Sequence, residues 1–206
     1  MYLGAVFHSV QQIYFDSRLA GETLTIEDLW DAFDTFWVEG ITEEEIDWGR
    51  DQPDNLAALG RAMVKSYYPY AQRIKPLLVE QEFSRETEYA SVHGKLDLIT
   101  TEAVVIDYKS SSIAPKKANV DNGLQPTVYS FLLGGPTSYQ EHYIMKWKVP
   151  KVQIISTTRT KKQIDDFQNF ILPDVARMVQ AGIYPPLGAI TGKCKRCLVR
   201  EICKEK

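Results

Sequence analysis

Residues 91–109 constrain the fold more than any other stretch. Two β-rich runs, residues 91–100 and 103–109, are separated only by Thr101 and Glu102, a spacing that suits a hairpin. The second run carries Val104-Val105-Ile106, which is continuously apolar. An unbroken apolar run belongs to a strand buried on both faces, and so to the middle of a sheet covered by helices on each side.

Helical periodicity supplies that cover. Val6, Val10 and Tyr14 recur at i, i+4 and i+8 in the first fifteen residues. Residues 28–37 repeat the pattern, with Thr25 placed to cap the helix. Residues 39–54 are acidic and end in Gln52-Pro53-Asp54, which reads as a loop; Leu56, Leu59, Met63 and Tyr67 then share one face of a helix over 55–70. Further strands are expected over 77–83, 139–147 and 151–156, and a helix over 123–133. Residues 161–181 read as one long amphipathic helix that buries Ile164, Phe167, Ile171, Val175 and Met178; Gly182 can end it, and Pro185-Pro186 prevents its resumption. This order of elements predicts an α/β fold, a mixed sheet flanked by helices. The 206 residues suit one domain: a helical region over 1–76, a sheet core over 77–160, and a long helix with a cysteine-containing tail over 161–206.

No apolar run approaches the ~20 residues needed to span a bilayer, and Met1-Tyr2-Leu3-Gly4 lacks the basic start of a secretory signal. A cytoplasmic protein with no membrane attachment is the expectation. The net charge of −3 hides a split: residues 1–140 hold 11 Lys+Arg against 21 Asp+Glu, and residues 141–206 hold 13 against 6. A dipolar globule explains this as well as a surface for a polyanion does, so any nucleic-acid contact must be local.

Asp107 and Lys109 are two apart in a strand and share a face; a hairpin pairing brings Asp97 beside them. Adjacent carboxylates repel and resist burial, so a cation should compensate. Hard oxygen donors suit Mg²⁺ or Mn²⁺, which polarises a phosphoryl oxygen and acidifies bound water. Lys109 could then position the attacking water or offset charge developing on a phosphate. An ordinary Asp–Lys pair on a surface hairpin is the alternative; the apolar strands that embed both acids argue against it.

The pattern Gly94-x-x-Asp97, a short hairpin, then apolar-Asp107-Tyr108-Lys109 resembles the signature of the PD-(D/E)xK nucleases and is most similar to their RecB-like and Cas4-like exonuclease branch. Gln125-x-x-x-Tyr129, Gly4-x-x-x-His8, and Gly182-Ile183-Tyr184-Pro185-Pro186 before a cysteine cluster carry the same likeness, which spans residues 4–203. The resemblance implies a restriction-endonuclease-like core and a metal-dependent deoxyribonuclease. Its activity would be that of an exonuclease, hydrolysing phosphodiester bonds with a metal-activated water in DNA repair, recombination, or phage- or CRISPR-type DNA processing. It implies catalytic roles for Asp97, Asp107 and Lys109, and metal ligation by His8, Asp97, Asp107 and the backbone carbonyl of Tyr108. Gln125 and Tyr129, one helical turn apart, would support the site or contact DNA. Glu80 or Glu82 would add an acidic group through water; His93 and His142 receive no role. Mg²⁺ or Mn²⁺ is the expected cofactor, single- or double-stranded DNA the expected substrate, and a helicase or recombination protein a fitting partner.

Cys194, Cys197 and Cys203 lie among Lys193, Lys195, Arg196, Arg200 and Lys204, whose charge favours the thiolate. An odd number argues against a disulfide framework. The resemblance implies a [4Fe–4S] site completed by a fourth cysteine near the N-terminus, and four thiolates are the usual complement. This chain has three. An N-terminally shortened chain with an incomplete cluster, a non-cysteine fourth ligand, and three free thiols stay open; a filled cluster is not expected.

Lys116, Lys117, Lys146, Lys148, Lys151, Arg159, Lys161 and Lys162 follow the catalytic segment, and backbone phosphates are their natural partner. Trp147 and Tyr143 offer rings for stacking on single-stranded bases, although core packing is the commoner use of either. Two rival readings stand beside the nuclease: a non-catalytic DNA-binding or assembly subunit that keeps the fold, and a cysteine-based zinc module on an unrelated α/β domain.

Overall fold

The computed structural model describes residues 2–43, 46, 48 and 52–183. Tyr184, Pro185, Pro186 and the three cysteines lie outside them. Three helices come first: α1 (Tyr2–Leu19), α2 (Ile26–Glu43) and α3 (Pro53–Ala71). The expected apolar face of α1 is buried, with Val6, Val10 and Tyr14 joined by Leu3 and Phe7. Thr25 does cap α2: its Oγ1 accepts the backbone N–H of Asp28 at 3.2 Å, and Asp28 Oδ2 accepts the N–H of Thr25 at 2.7 Å. Such a reciprocal cap satisfies two otherwise orphaned donors. Helix α3 starts earlier than expected because Pro53 occupies its first turn, where a missing N–H costs nothing.

The sheet has five strands in the order β1 (Pro76–Glu86), β2 (Ser91–Thr100), β3 (Val104–Ser111), β4 (Ser138–Met145) and β5 (Lys151–Thr158). Neighbours are antiparallel except β3 and β4, which are parallel. A parallel pair needs a crossover, and α4 (Lys117–Asp121) with α5 (Leu124–Leu132) lies in it. Strand β3 is central, as its apolar run predicts. Ile106 packs with α1, α2 and α3 on one face, and Val105 packs under α5 on the other.

The C-terminal region departs from the expected single helix. Helix α6 (Lys161–Asp166) passes into a π-helical turn (Phe167–Ile171) before α7 (Leu172–Gln180). Pro173 has no N–H to give the carbonyl four residues back, and its ring would clash there; the wider turn relieves this. One extra residue rotates the buried line. After Ile164 and Phe167 it runs through Leu172 and Ala176, while Ile171 and Val175 face solvent at 41 % and 50 % exposure.

Gly60 marks where the three N-terminal helices close on each other. A Cβ there would sit 2.1 Å from Phe33 Cζ and 2.8 Å from Leu3 Cδ1. Gly60→Val is therefore expected to cost roughly 1–3 kcal/mol by overpacking. A thermal melt should fall by about 3–10 °C; an unchanged melt would show that the helices do not meet at this point.

Candidate active site

The cleft forms where β2 and β3 part. Their ladder pairs Ile99 with Val105 and Leu98 with Ile106, one residue off the register of a two-residue connection, because Ala103 joins the turn in a left-handed conformation at φ +59°. Asp97 and Asp107 come next. There the carboxylate of Asp97 takes the backbone N–H of Tyr108 at 2.8 Å, standing in for a strand carbonyl. Strand β1 distorts at the same level. Glu80 lies between the pairs Val79–Leu98 and Gln81–Leu96 and has φ +48°. A non-glycine residue holds that left-handed conformation at a cost of about 1–2 kcal/mol. Both strands then switch faces: Leu98 packs under the N-terminal helices, but Leu96, two residues away, packs under α5. In a regular strand the two would share a side.

His8 reaches this gap from α1. Its Nδ1 lies 3.4 Å from Asp97 Oδ2, and its Nε2 lies 2.9 Å from the Tyr108 carbonyl oxygen, an acceptor to which an N–H must donate. His8, Glu80 and Asp97 each present a ligand atom, all within 4.8 Å of one another. Glu80 also pairs with Lys95 Nζ at 2.8 Å, whereas Glu82 is exposed. Of the two glutamates proposed from sequence, the fold brings in Glu80.

Asp107 and Lys109 share the other face of β3 with α5 above them. Lys109 Nζ lies 2.7 Å from Asp107 Oδ2 and donates to Gln125 Oε1 at 3.1 Å. Gln125 Nε2 donates to Asp107 Oδ1 and to the Tyr129 hydroxyl, each at 2.8 Å. Tyr129 in turn donates to the Lys95 carbonyl at 3.2 Å. One amide thus orients the acid, the ammonium and the phenol. The helix can stand this close because residue 94 is glycine: a Cβ there would lie 2.6 Å from Leu132 Cδ1.

The electrostatics are costly without a cation. Burial raises the pKa of Asp97; His8, the Tyr108 N–H and Lys109 oppose this, and Glu80 adds to it. Burial pushes Asp107 up to about 6, with Asp97 and Glu141 adding to the shift and Lys109 opposing it. His8, Glu80 and Asp97 form a donor set that a hard divalent cation takes, whereas the fold does not gather Asp107 into it and holds that carboxylate against Lys109 instead. No other group of three or more potential ligands gathers among the described residues.

The family model of the PD-(D/E)XK nuclease superfamily matches residues 2–204, nearly the whole chain. The chain belongs to the PD-(D/E)XK nuclease superfamily. Among solved structures, a Eubacterium rectale protein named "Putative exonuclease" superposes with a TM-score of 0.52 at 14 % identity, over 87 % of this chain and 69 % of that one. At that identity the likeness concerns the fold alone. SSO0001 gives a TM-score of 0.48 at 15 % identity, over 98 % of this chain and 84 % of that one, too low to argue from. No curated protein matches the chain in sequence.

Two residues of this nuclease stand apart from the sequence reading. Arg159, expected among phosphate-binding cations, is 3 % exposed and donates to Thr127, Thr157 and the carbonyls of Thr158, Val120 and Gly123. It ties the α4–α5 crossover to the end of β5. Glu141, which received no role, is paired with Asp107 across β3 and β4 and is buried. The hydroxyls of Tyr139 and Tyr143 both donate to it. Nothing in its local sequence marks it; only the register of the parallel pair does. Lys161 and Lys162 are exposed and paired one turn on with Asp165 and Asp166.

Proposed function

We propose that this nuclease is a metal-dependent deoxyribonuclease of the RecB-like and Cas4-like branch, acting as an exonuclease in DNA processing. The observation that supports this most is the juxtaposition of a potential ligand group, His8, Glu80 and Asp97, on one side of the β2–β3 gap with the Asp107–Lys109 ion pair on the other. His8, Asp97 and Asp107 would hold Mg²⁺ or Mn²⁺, with Glu80 and the Tyr108 carbonyl beside them. When bound, the ion supplies an acidified water and polarises the scissile phosphate.

The chain's own side chains do the positioning. Lys109 holds an ammonium at the cleft, where it can hydrogen-bond the attacking water or a phosphate oxygen and offset developing negative charge. Gln125 limits the freedom of that ammonium by accepting a hydrogen bond from it while donating one to Asp107. Tyr129 braces Gln125 against β2.

Digestion of linear and circular DNA, with Mg²⁺, Mn²⁺ or EDTA, tests the reading. Linear DNA should be degraded only with a divalent ion, and circular single strands should resist. Lys109→Met should lower the rate at least ~10²-fold. Undiminished cutting in EDTA, or by Lys109→Met, would contradict the mechanism; rapid cutting of circles would remove the exonuclease assignment.

A further inference from the structure

Two loops leave the sheet side by side at the carboxyl ends of β3 and β4, next to the cleft. Ser111 pairs with Met145 at the last step of the ladder, and Lys146 N–H donates to the Ser111 carbonyl at 2.7 Å. Beyond that, the Trp147 indole N–H donates to the Ser112 carbonyl at 3.0 Å. The second loop is also held from below, since Ser66 on α3 donates to the Pro150 carbonyl at 3.2 Å. Residues 109–117 and 146–151 together hold six lysines and no acidic residue, in a chain whose net charge is −3.

Within this positive edge sits a partly exposed indole ring. Trp147 is 39 % exposed. Its N–H anchor sets the plane of the indole, and the Lys151 ammonium lies 6.0 Å from the ring centroid. The ring forms one wall of a cavity of about 370 Å³. Ala58, Leu59 and Ala62 of α3 line its apolar part, Asn55 adds an amide, and Lys146 and Lys148 stand at its rim. Val149 and Ile113, 71 % and 80 % exposed, extend the apolar surface along the two loops. A flat apolar slot with ammonium groups beside it suits a ligand that alternates aromatic faces with phosphates.

We infer that the Trp147 slot binds an unpaired nucleobase of a single-stranded DNA segment entering or leaving the cleft, with Lys146, Lys148 and Lys151 contacting the adjoining phosphates. The assignment rests on the nuclease reading for its direction toward the cleft. Lys109 pairs with Tyr143 in the β3–β4 register, and Trp147 is four residues further on. At about 3.3 Å per residue the slot is offset from the reacting centre by roughly 13 Å along the strand; it opens on the α3 side of the sheet and Lys109 on the α5 side, so the DNA would pass around the carboxyl ends of β3 and β4 between them. A base buried in a duplex cannot offer its face to the slot, so the preference is for unpaired ends.

Anisotropy with labelled oligonucleotides in EDTA reads binding without cleavage. A slot that fails can thus be told apart from a chain that cuts no DNA. Trp147→Ala should weaken single-strand binding about tenfold and lower the ratio of single-strand to blunt-duplex affinity by a similar factor. Trp147→Phe should restore most of the loss, and a thermal melt of Trp147→Ala unchanged from wild type separates lost stacking from a folding defect. Lys146→Ala with Lys148→Ala should reduce the slope of log affinity against log salt by about 1–2. Single-strand affinity of Trp147→Ala within twofold of wild type, or an equal loss on blunt duplex, would overturn the inference. So would RNA of the same sequence binding tenfold tighter than DNA.

Discussion

Asp107→Asn is expected to abolish DNA cleavage, by at least ~10³-fold, while making the metal-free fold more stable at neutral pH. The first effect follows from removing the carboxylate that Lys109 and Gln125 are arranged around. The second follows from linkage. Asp107 has a pKa of about 6 in the fold against ~3.9 in an unfolded chain. The folded state therefore keeps a proton that the unfolded state has lost. The stability this group contributes is whole below pH ~4 and is lost as the pH rises through about 6. The loss is on the order of 3 kcal/mol. Asparagine has no proton to lose, so the variant's advantage should open between pH 4 and 6 and persist above. His142 works in the opposite sense. Burial beside the Tyr67 hydroxyl pushes it down to about 4, so its contribution is whole above ~6.5 and lost as the pH falls. It is common to both proteins and cancels in the difference. Melts in EDTA at pH 4 and 7.5 check the prediction, and equal melts at both pH values would refute it.

Arg159→Leu should be the most damaging single change outside the cleft, at roughly 3–5 kcal/mol. The guanidinium is buried, and burial lowers its pKa. Its loss strands the carbonyls of Val120 and Gly123 and the hydroxyls of Thr127 and Thr157. Melting should drop by roughly 6–20 °C. Arg159→Lys should recover only part, because one ammonium cannot span a fork of acceptors that a planar guanidinium fits. A melt within 2 °C of wild type for the leucine variant would mean that the crossover is held elsewhere. A drop in the salt slope of DNA binding without loss of stability would return Arg159 to the phosphate-binding set.

What could be read from the chain in advance was what local patterns control. The apolar Val104-Val105-Ile106 run placed β3 at the centre, but the two-residue connection read from the sequence would have set Asp97 opposite Ile106; Ala103, left-handed in the turn, shifts the register by one and brings Asp97 to the level of Asp107. The i, i+4 spacing in α1 predicted the face that packs on the sheet, and His8 projects beside it toward Tyr108. What was not legible depends on partners distant in sequence. The left-handed Glu80 lies at the level of Asp97 on the neighbouring strand, and nothing in its own sequence neighbours marks it. Glu141 meets Asp107 only because a parallel ladder aligns them. Arg159 looked like a solvent-facing cation at a helix start, and tertiary packing buried it. The break at Pro173 had a visible cause, but apolar spacing alone carried the helix through it.

A Mn²⁺ titration of wild type and Asp97→Ala at pH 6, by calorimetry in buffers of different ionisation enthalpy, tests the proposed centre most directly. Wild type should bind the ion and release protons as it does so, because burial pushes Asp107 up to about 6 and so holds it partly protonated in the ion's absence. Asp97→Ala should lose at least ~10-fold in affinity and part of the proton release. Equal Mn²⁺ affinity in the two proteins, or DNA cleavage by a wild type that binds no divalent ion, would contradict the account.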